Sequence, residues 1–220
     1  MSGIVAQNSA RHSGLIKSAS GGGGAWNLIL TQTASDSSTI SFTSGIDSTY
    51  DEYVFKFYNI NPANQYGRFW FQVSIDGGSN YTNGNITSTF YLARHFENDG
   101  EETFLIYDGS YDQADGVEAG AYTYTGQALT HSQAYDADGS MSGTLRLYNP
   151  SSTTFQKNFM SSTSYMQYSP RAYTTFAGGY INDTNDVDAI RFGMGYYDTG
   201  SANFPDGNFD GQISLYGISW

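Results

Sequence analysis

Residues 204–214 read FPDGNFDGQIS. Within that run Asp206, Asn208, Asp210 and Gly211 reproduce the first half of a calcium loop, D-x-N-x-D-G, in which alternate positions aim oxygens at one ion. The second half is missing, because the position that should supply a bidentate Glu is Gly217. The run therefore reads as a hairpin feeding a strand over 211–218, and no metal is assigned. Catalytic groups are equally sparse. His12, His95 and His131 have no second histidine at ligand spacing and read as surface or packing residues. No Gly-x-Ser-x-Gly elbow exists, and Ser140 in Asp138-Gly139-Ser140 is a turn residue. The carboxylates Glu97, Glu101, Glu102 and Glu118 lie in Gly- and Asp-rich loops rather than alternating along one strand, as two acids flanking a glycosidic bond would. Cysteine is absent, which removes thiolate chemistry and disulfides. The expected protein is non-enzymatic and carries no cofactor.

Binding chemistry has better candidates. AGAYTYTGQA (119–128) places Tyr122 and Tyr124 on one face of a possible strand, with Tyr111 close by in GSYDQ. Tyrosines beside Asp, Asn and Gln suit glycan or receptor contact, since sugar rings stack on aromatic faces while carboxamides and carboxylates take hydroxyls. The competing reading is core or subunit interface, because 19 tyrosines must be placed somewhere.

The elements that must position these residues are strands. Aromatic residues make up 16% of the 220, Gly numbers 26, and charged residues are only 14%, which is the bias of pleated surfaces joined by tight turns. Short alternating runs occur at 39–43, 53–60, 68–75, 86–93, 103–107, 143–149, 173–181, 189–197 and 211–218. Asp-Gly, Asn-Gly and Asn-Pro steps separate many of them, the strongest short-range signal for hairpins. In 53–60 the face carrying Tyr53, Phe55, Phe57 and Asn59 is the expected core face. No dozen residues keep a helical apolar stripe. The expectation is an all-β chain, an antiparallel two-sheet jelly-roll-like sandwich over 25–220 with an extended N-terminal arm over 1–24. GTLRLY (143–148) and GQISLY (211–216) echo each other and predict equivalent strands in one pseudo-symmetric domain, the last closing its sheet.

A formal net charge of −12 repels a phosphate backbone, so nucleic acid is excluded as a partner. No run approaches the ~18 apolar residues of a membrane span, and no charged-then-apolar leader opens the sequence. Assembly in a cytoplasm without signal-peptide export is expected, and the sequons at Asn80, Asn85 and Asn182 read as turn polarity. The arm carries apolar hooks at Ile4, Val5, Leu15 and Ile16 with Lys17 as a charged contact. Gly21 to Gly24 then form a hinge, a pattern suited to lying along another protein, with a merely disordered N-terminus as the competing reading.

SGLIKS (13–18), VSIDGGSNY (73–81), LYNPSSTTF (147–155) and LYGI (215–218), taken in order, give the chain a likeness. It resembles a family of virion structural proteins of marine tailed bacteriophages. The resemblance implies a part of an extracellular particle, docked on other virion proteins through the arm, with no catalytic residues to carry over. A tail fibre or appendage acting in host adsorption, homotrimeric in the manner of phage appendages, is the role the resemblance implies. Capsid decoration and a free carbohydrate-binding module or lectin are the alternatives.

Overall fold

A computed structural model of the protein describes residues 25–81, 85–98, 103–118, 126–196 and 206–219. Its strands in chain order begin with β1 (Ala25–Ser37), β2 (Thr39–Phe42), β3 (Glu52–Pro62), β4 (Gly67–Ser74) and β5 (Ile86–Phe96). There follow β6 (Phe104–Tyr107) and the two-residue pieces β7 (Gln113–Ala114), β8 (Val117–Glu118) and β9 (Gln127–Ala128). The second half holds β10 (Met141–Tyr148), β11 (Lys157–Gln167), β12 (Arg171–Ile181), β13 (Ala189–Tyr196), β14 (Asp206–Gly207) and β15 (Phe209–Ser219).

Two antiparallel sheets carry the fold. The larger has the order β1-β15-β3-β10-β11-β12-β5-β6, and the smaller has β14-β13-β4-β9 with β2 also on β13. The chain changes sheet repeatedly: β1 to β2 to β3, β3 to β4 to β5, and β12 to β13 on the way to β15. This traffic is what a sandwich needs to stitch its layers together. Between the layers lies an aromatic core in which Phe55 and Phe57 of β3 meet Phe42, Phe69 and Phe192 of the smaller sheet. The expected all-β sandwich is thus the observed one.

Two local expectations are corrected. Tyr53, Phe55 and Phe57 do face the core, but Asn59 does not: it is exposed at φ 52°, the β3 ladders shift register on both sides there, and Ile60 takes the inward position. A bulge explains the slip, since one extra residue exchanges the two faces of every position beyond it. The sequence echo does mark equivalent strands, because β10 and β15 flank β3 and set Leu145 and Leu215 opposite the same Phe55. The spatial match is offset by two residues from the sequence match. Nor does β15 close the sheet, since β1 pairs along its other side.

Candidate functional site

Four of the seven cations in the described residues are held by structural partners. Of the nine Lys and Arg, Arg11 and Lys17 lie outside the described residues. Arg146 binds the buried carboxylate of Glu52, and Arg191 donates to Oε1 of Gln72. The ammonium of Lys157, a fully buried residue, donates to the carbonyls of Asp183 and Asn185, and Lys56 lies 4.3 Å from the Trp26 ring centroid. The remaining three, Arg68, Arg94 and Arg171, line one cleft of about 460 Å³.

The strand alternation puts them there. On β5 the inward positions are Ile86, Ser88, Phe90, Leu92 and then Arg94. On β12 they include Ala177, Thr175 and Tyr173, with Arg171 last. Both strands thus bring an arginine to a core-facing position at the same end of the sandwich, where the two layers open. From the smaller sheet Arg68 of β4 reaches the same space. The segment 129–133 runs beside β4, its backbone fixed by Leu129 N–H to Phe69 O and Gln133 N–H to Gly67 O, both at 2.8 Å. It carries His131 into the cleft, and the His131 backbone N–H donates to Tyr165 Oη at 2.7 Å. Gln133 bridges Gly67 on one layer to Gln167 on the other, tying the open end together. At the rim Tyr66, held at φ 64°, meets Tyr168 edge to face at 4.4 Å.

Each guanidinium lies against an aromatic ring: Arg68 4.4 Å from the centroid of Tyr111, Arg94 4.5 Å from Phe104, and Arg171 4.0 Å from Phe96. Such contact orients the plane while leaving its in-plane donors for another acceptor. Arg94 and Arg171 have no carboxylate partner among the described residues, and their buried Nε atoms have no hydrogen-bond acceptor there. Among the described residues Arg94 Nη1 reaches only Tyr173 Oη, at 3.5 Å. Among the described residues Asp108 is the single acid lining the cleft, so these walls are cationic in a chain that is acidic overall.

His131 is neutral in this setting. Burial lowers it from the usual value near 6.5 to about 4, Arg68 and Arg94 push the same way, and Asp108, with Oδ2 4.0 Å from Nε2, opposes them. Tyr111, Tyr165 and Tyr173 complete its surroundings. Because the unfolded chain binds this proton more readily, His131 adds stability that is full above about pH 6.5 and disappears as the pH falls towards 4. The stability advantage of the wild type over His131→Gln should therefore grow between pH 4.5 and 7. The growth should be about 2 kcal/mol, read from urea denaturation at each pH. A pH-independent difference would contradict the assignment.

Sequence reasoning did not find this cleft. Its arginines are spread over 68, 94 and 171, and only the β5–β12 pairing, Arg94 opposite Tyr173 and Phe96 opposite Arg171, brings two of them together. The available signal was an arginine at an inward position of a strand. Among the tyrosines weighed for glycan contact against core or interface, Tyr111 is 3% exposed, stacks on Phe90 at 4.8 Å and lies beneath Arg68, the core reading. Tyr122 and Tyr124 lie outside the described residues, as do Ile4, Val5, Leu15, Ile16 and Lys17.

In the half calcium motif, β14 and the start of β15 are strand, with no open loop between them. Asn208 Nδ2 donates to Asp36 Oδ1, and the Asp36 backbone N–H donates to Asp210 Oδ1 at 2.7 Å. Gly211, at φ 133°, serves the bulge opposite Asn59. His95 and Glu97 line a separate cavity beside Pro170, on the other side of Arg171. No protein-family model, curated protein or solved structure matches the chain.

Proposed function

We propose that the chain is a non-enzymatic surface protein of a tailed-phage particle, a β-sandwich head held out by an N-terminal arm and working as a tail appendage in host adsorption. The observation that carries the adhesive part is the pair of inward-facing arginines, Arg94 and Arg171, at the open end of the sandwich, without an acidic partner among the described residues. Charge placed where a core would continue costs stability, and binding a ligand is the reason to keep it there. The particle part rests on the resemblance of the quoted motifs.

Assembly as a homotrimer is part of the proposal. Strands β1 and β6 are the two edges of the larger sheet, and they expose Leu28 (59%), Leu105 (76%) and Tyr107 (63%). Unpaired edges with apolar side chains are stabilised by covering them, which a neighbouring copy can do. The same edges favour a second reading, capsid decoration, in which many copies meet laterally. Deletion of residues 2–20 tests the arm: the expected product keeps the β-rich circular dichroism and melting temperature of the full chain but no longer joins particles. Incorporation at the wild-type level would remove the arm from the proposal.

A further inference from the structure

We infer that the cleft between Arg94 and Arg171 captures an oxyanion-bearing saccharide, a sugar unit carrying a carboxylate or a sulfate ester. The inference rests on the adhesive reading and names its ligand class. Three features converge on it.

The first is charge. Arg94 and Arg171 have no carboxylate partner among the described residues, where Asp108 is the one acid of the lining, and the neutral His131 adds no charge. Guanidinium groups match the planar, two-oxygen edge of a carboxylate or sulfate, and their contact with Tyr111, Phe104 and Phe96 fixes their planes before a ligand arrives. The acid that Arg94 and Arg171 do not find among the described residues is the one a ligand would supply.

The second is shape. A cleft of about 460 Å³ lies within the range of small-molecule sites and takes a sugar unit or two. An extended polyanion such as a nucleic acid would also meet the acidic remainder of the surface, whereas a short acidic glycan meets mainly the cleft.

The third is the lining. Tyr66 and Tyr168 form an aromatic pair at the rim, and Ser132 and Gln167 stand beside the arginines. Aromatic faces take the C–H face of a pyranose ring while carboxamide and hydroxyl groups take its hydroxyls. An anion site alone would not need the aromatic rim.

Calorimetric titration of the full chain with tetragalacturonate, with its methyl ester and with a sulfated galactan tetrasaccharide tests the inference. At least one acidic probe should bind, and the stronger of the two identifies the oxyanion. If the uronate is the ligand, its methyl ester should bind at least about 10-fold more weakly. Arg94→Gln and Arg171→Gln should each weaken the acidic probe by about 10-fold or more, and Arg94→Lys by less, because it keeps the charge and loses the fork. Arg191→Gln, outside the cleft, should bind as wild type. Melting curves check that each variant is folded, and Arg94→Lys remains informative if a glutamine variant is not.

Failure of both acidic probes to bind, an ester that binds as tightly as the acid, or wild-type binding by Arg94→Gln and Arg171→Gln would overturn the inference. Adsorption by particles whose head ignores every acidic probe would reject this ligand while leaving the adhesive reading standing. Probe binding by a chain absent from particles would do the reverse.

Discussion

Phe192→Ala is expected to lower the stability of the head by about 3–5 kcal/mol, the range for emptying an aromatic position in a close-packed core. Phe192 on β13 is fully buried, lies parallel to Phe69 at 5.7 Å, and meets Phe55 at 5.2 Å and Phe57 at 5.3 Å edge to face. Phe42 lies 6.2 Å away on β2. The ring thus joins four others drawn from both sheets, and its loss opens a cavity where the layers adhere. Little can collapse into that space, because the neighbouring side chains are fixed by their own strands. Phe192→Leu keeps most of the volume and should cost less than about 2 kcal/mol. Urea denaturation of the two variants checks the ratio, and a loss below about 1 kcal/mol for the alanine variant would mean that the two layers do not meet at this residue.

The adjacent glycines Gly178 and Gly179 should respond oppositely to alanine. A Cβ on Gly179 would fall 2.1 Å from the Thr87 carbonyl oxygen and 2.7 Å from Ser88 Cα, both backbone atoms of the paired strand β5. Backbone in a continuous ladder cannot step aside, so β5 and β12 must separate locally. The expected cost is about 2–4 kcal/mol, or failure to fold. A Cβ on Gly178 would meet only the Phe159 carbonyl oxygen, at 3.7 Å, an ordinary contact. There alanine should be neutral or stabilise by up to about 1 kcal/mol, since it restricts the unfolded chain. Melting temperatures of the two variants measure the contrast. Equal shifts would contradict the close approach of β5 to β12, the pairing that also sets Arg94 beside Tyr173.

That pairing marks the limit of what the sequence reveals. Strands rich in aromatic residues, such as 53–60, 68–75 and 189–197, are legible because burial on one face forces an alternation that can be counted. Two long strands escape that test. β1 (AWNLILTQTASDS) is an edge with few buried positions, so little alternation is imposed on it. β11 (KNFMSSTSYMQ) sits mid-sheet but turns Lys157, Ser161, Thr163 and Gln167 inward. Of these, Thr163 is satisfied because its hydroxyl and that of Thr175 both donate to Leu129 O, and Lys157 because Nζ reaches two carbonyls, whereas Ser161 Oγ finds no partner among the described residues. Buried hydroxyls satisfied by distant carbonyls leave no periodic signature. The cleft is hidden for the same reason, being assembled by register rather than by motif. Tyr111 shows why composition leaves such residues open: its neighbours in sequence are polar, yet tertiary contacts bury it between Phe90 and Arg68.

The central claim is that this head belongs to a particle and is displayed at its tail. The most direct measurement is the copy number and position of the chain in purified particles, by quantitative mass spectrometry and particle imaging. A few to a few tens of copies confined to the tail is the predicted result. Absence from washed particles, or hundreds of copies spread over the shell, would contradict it.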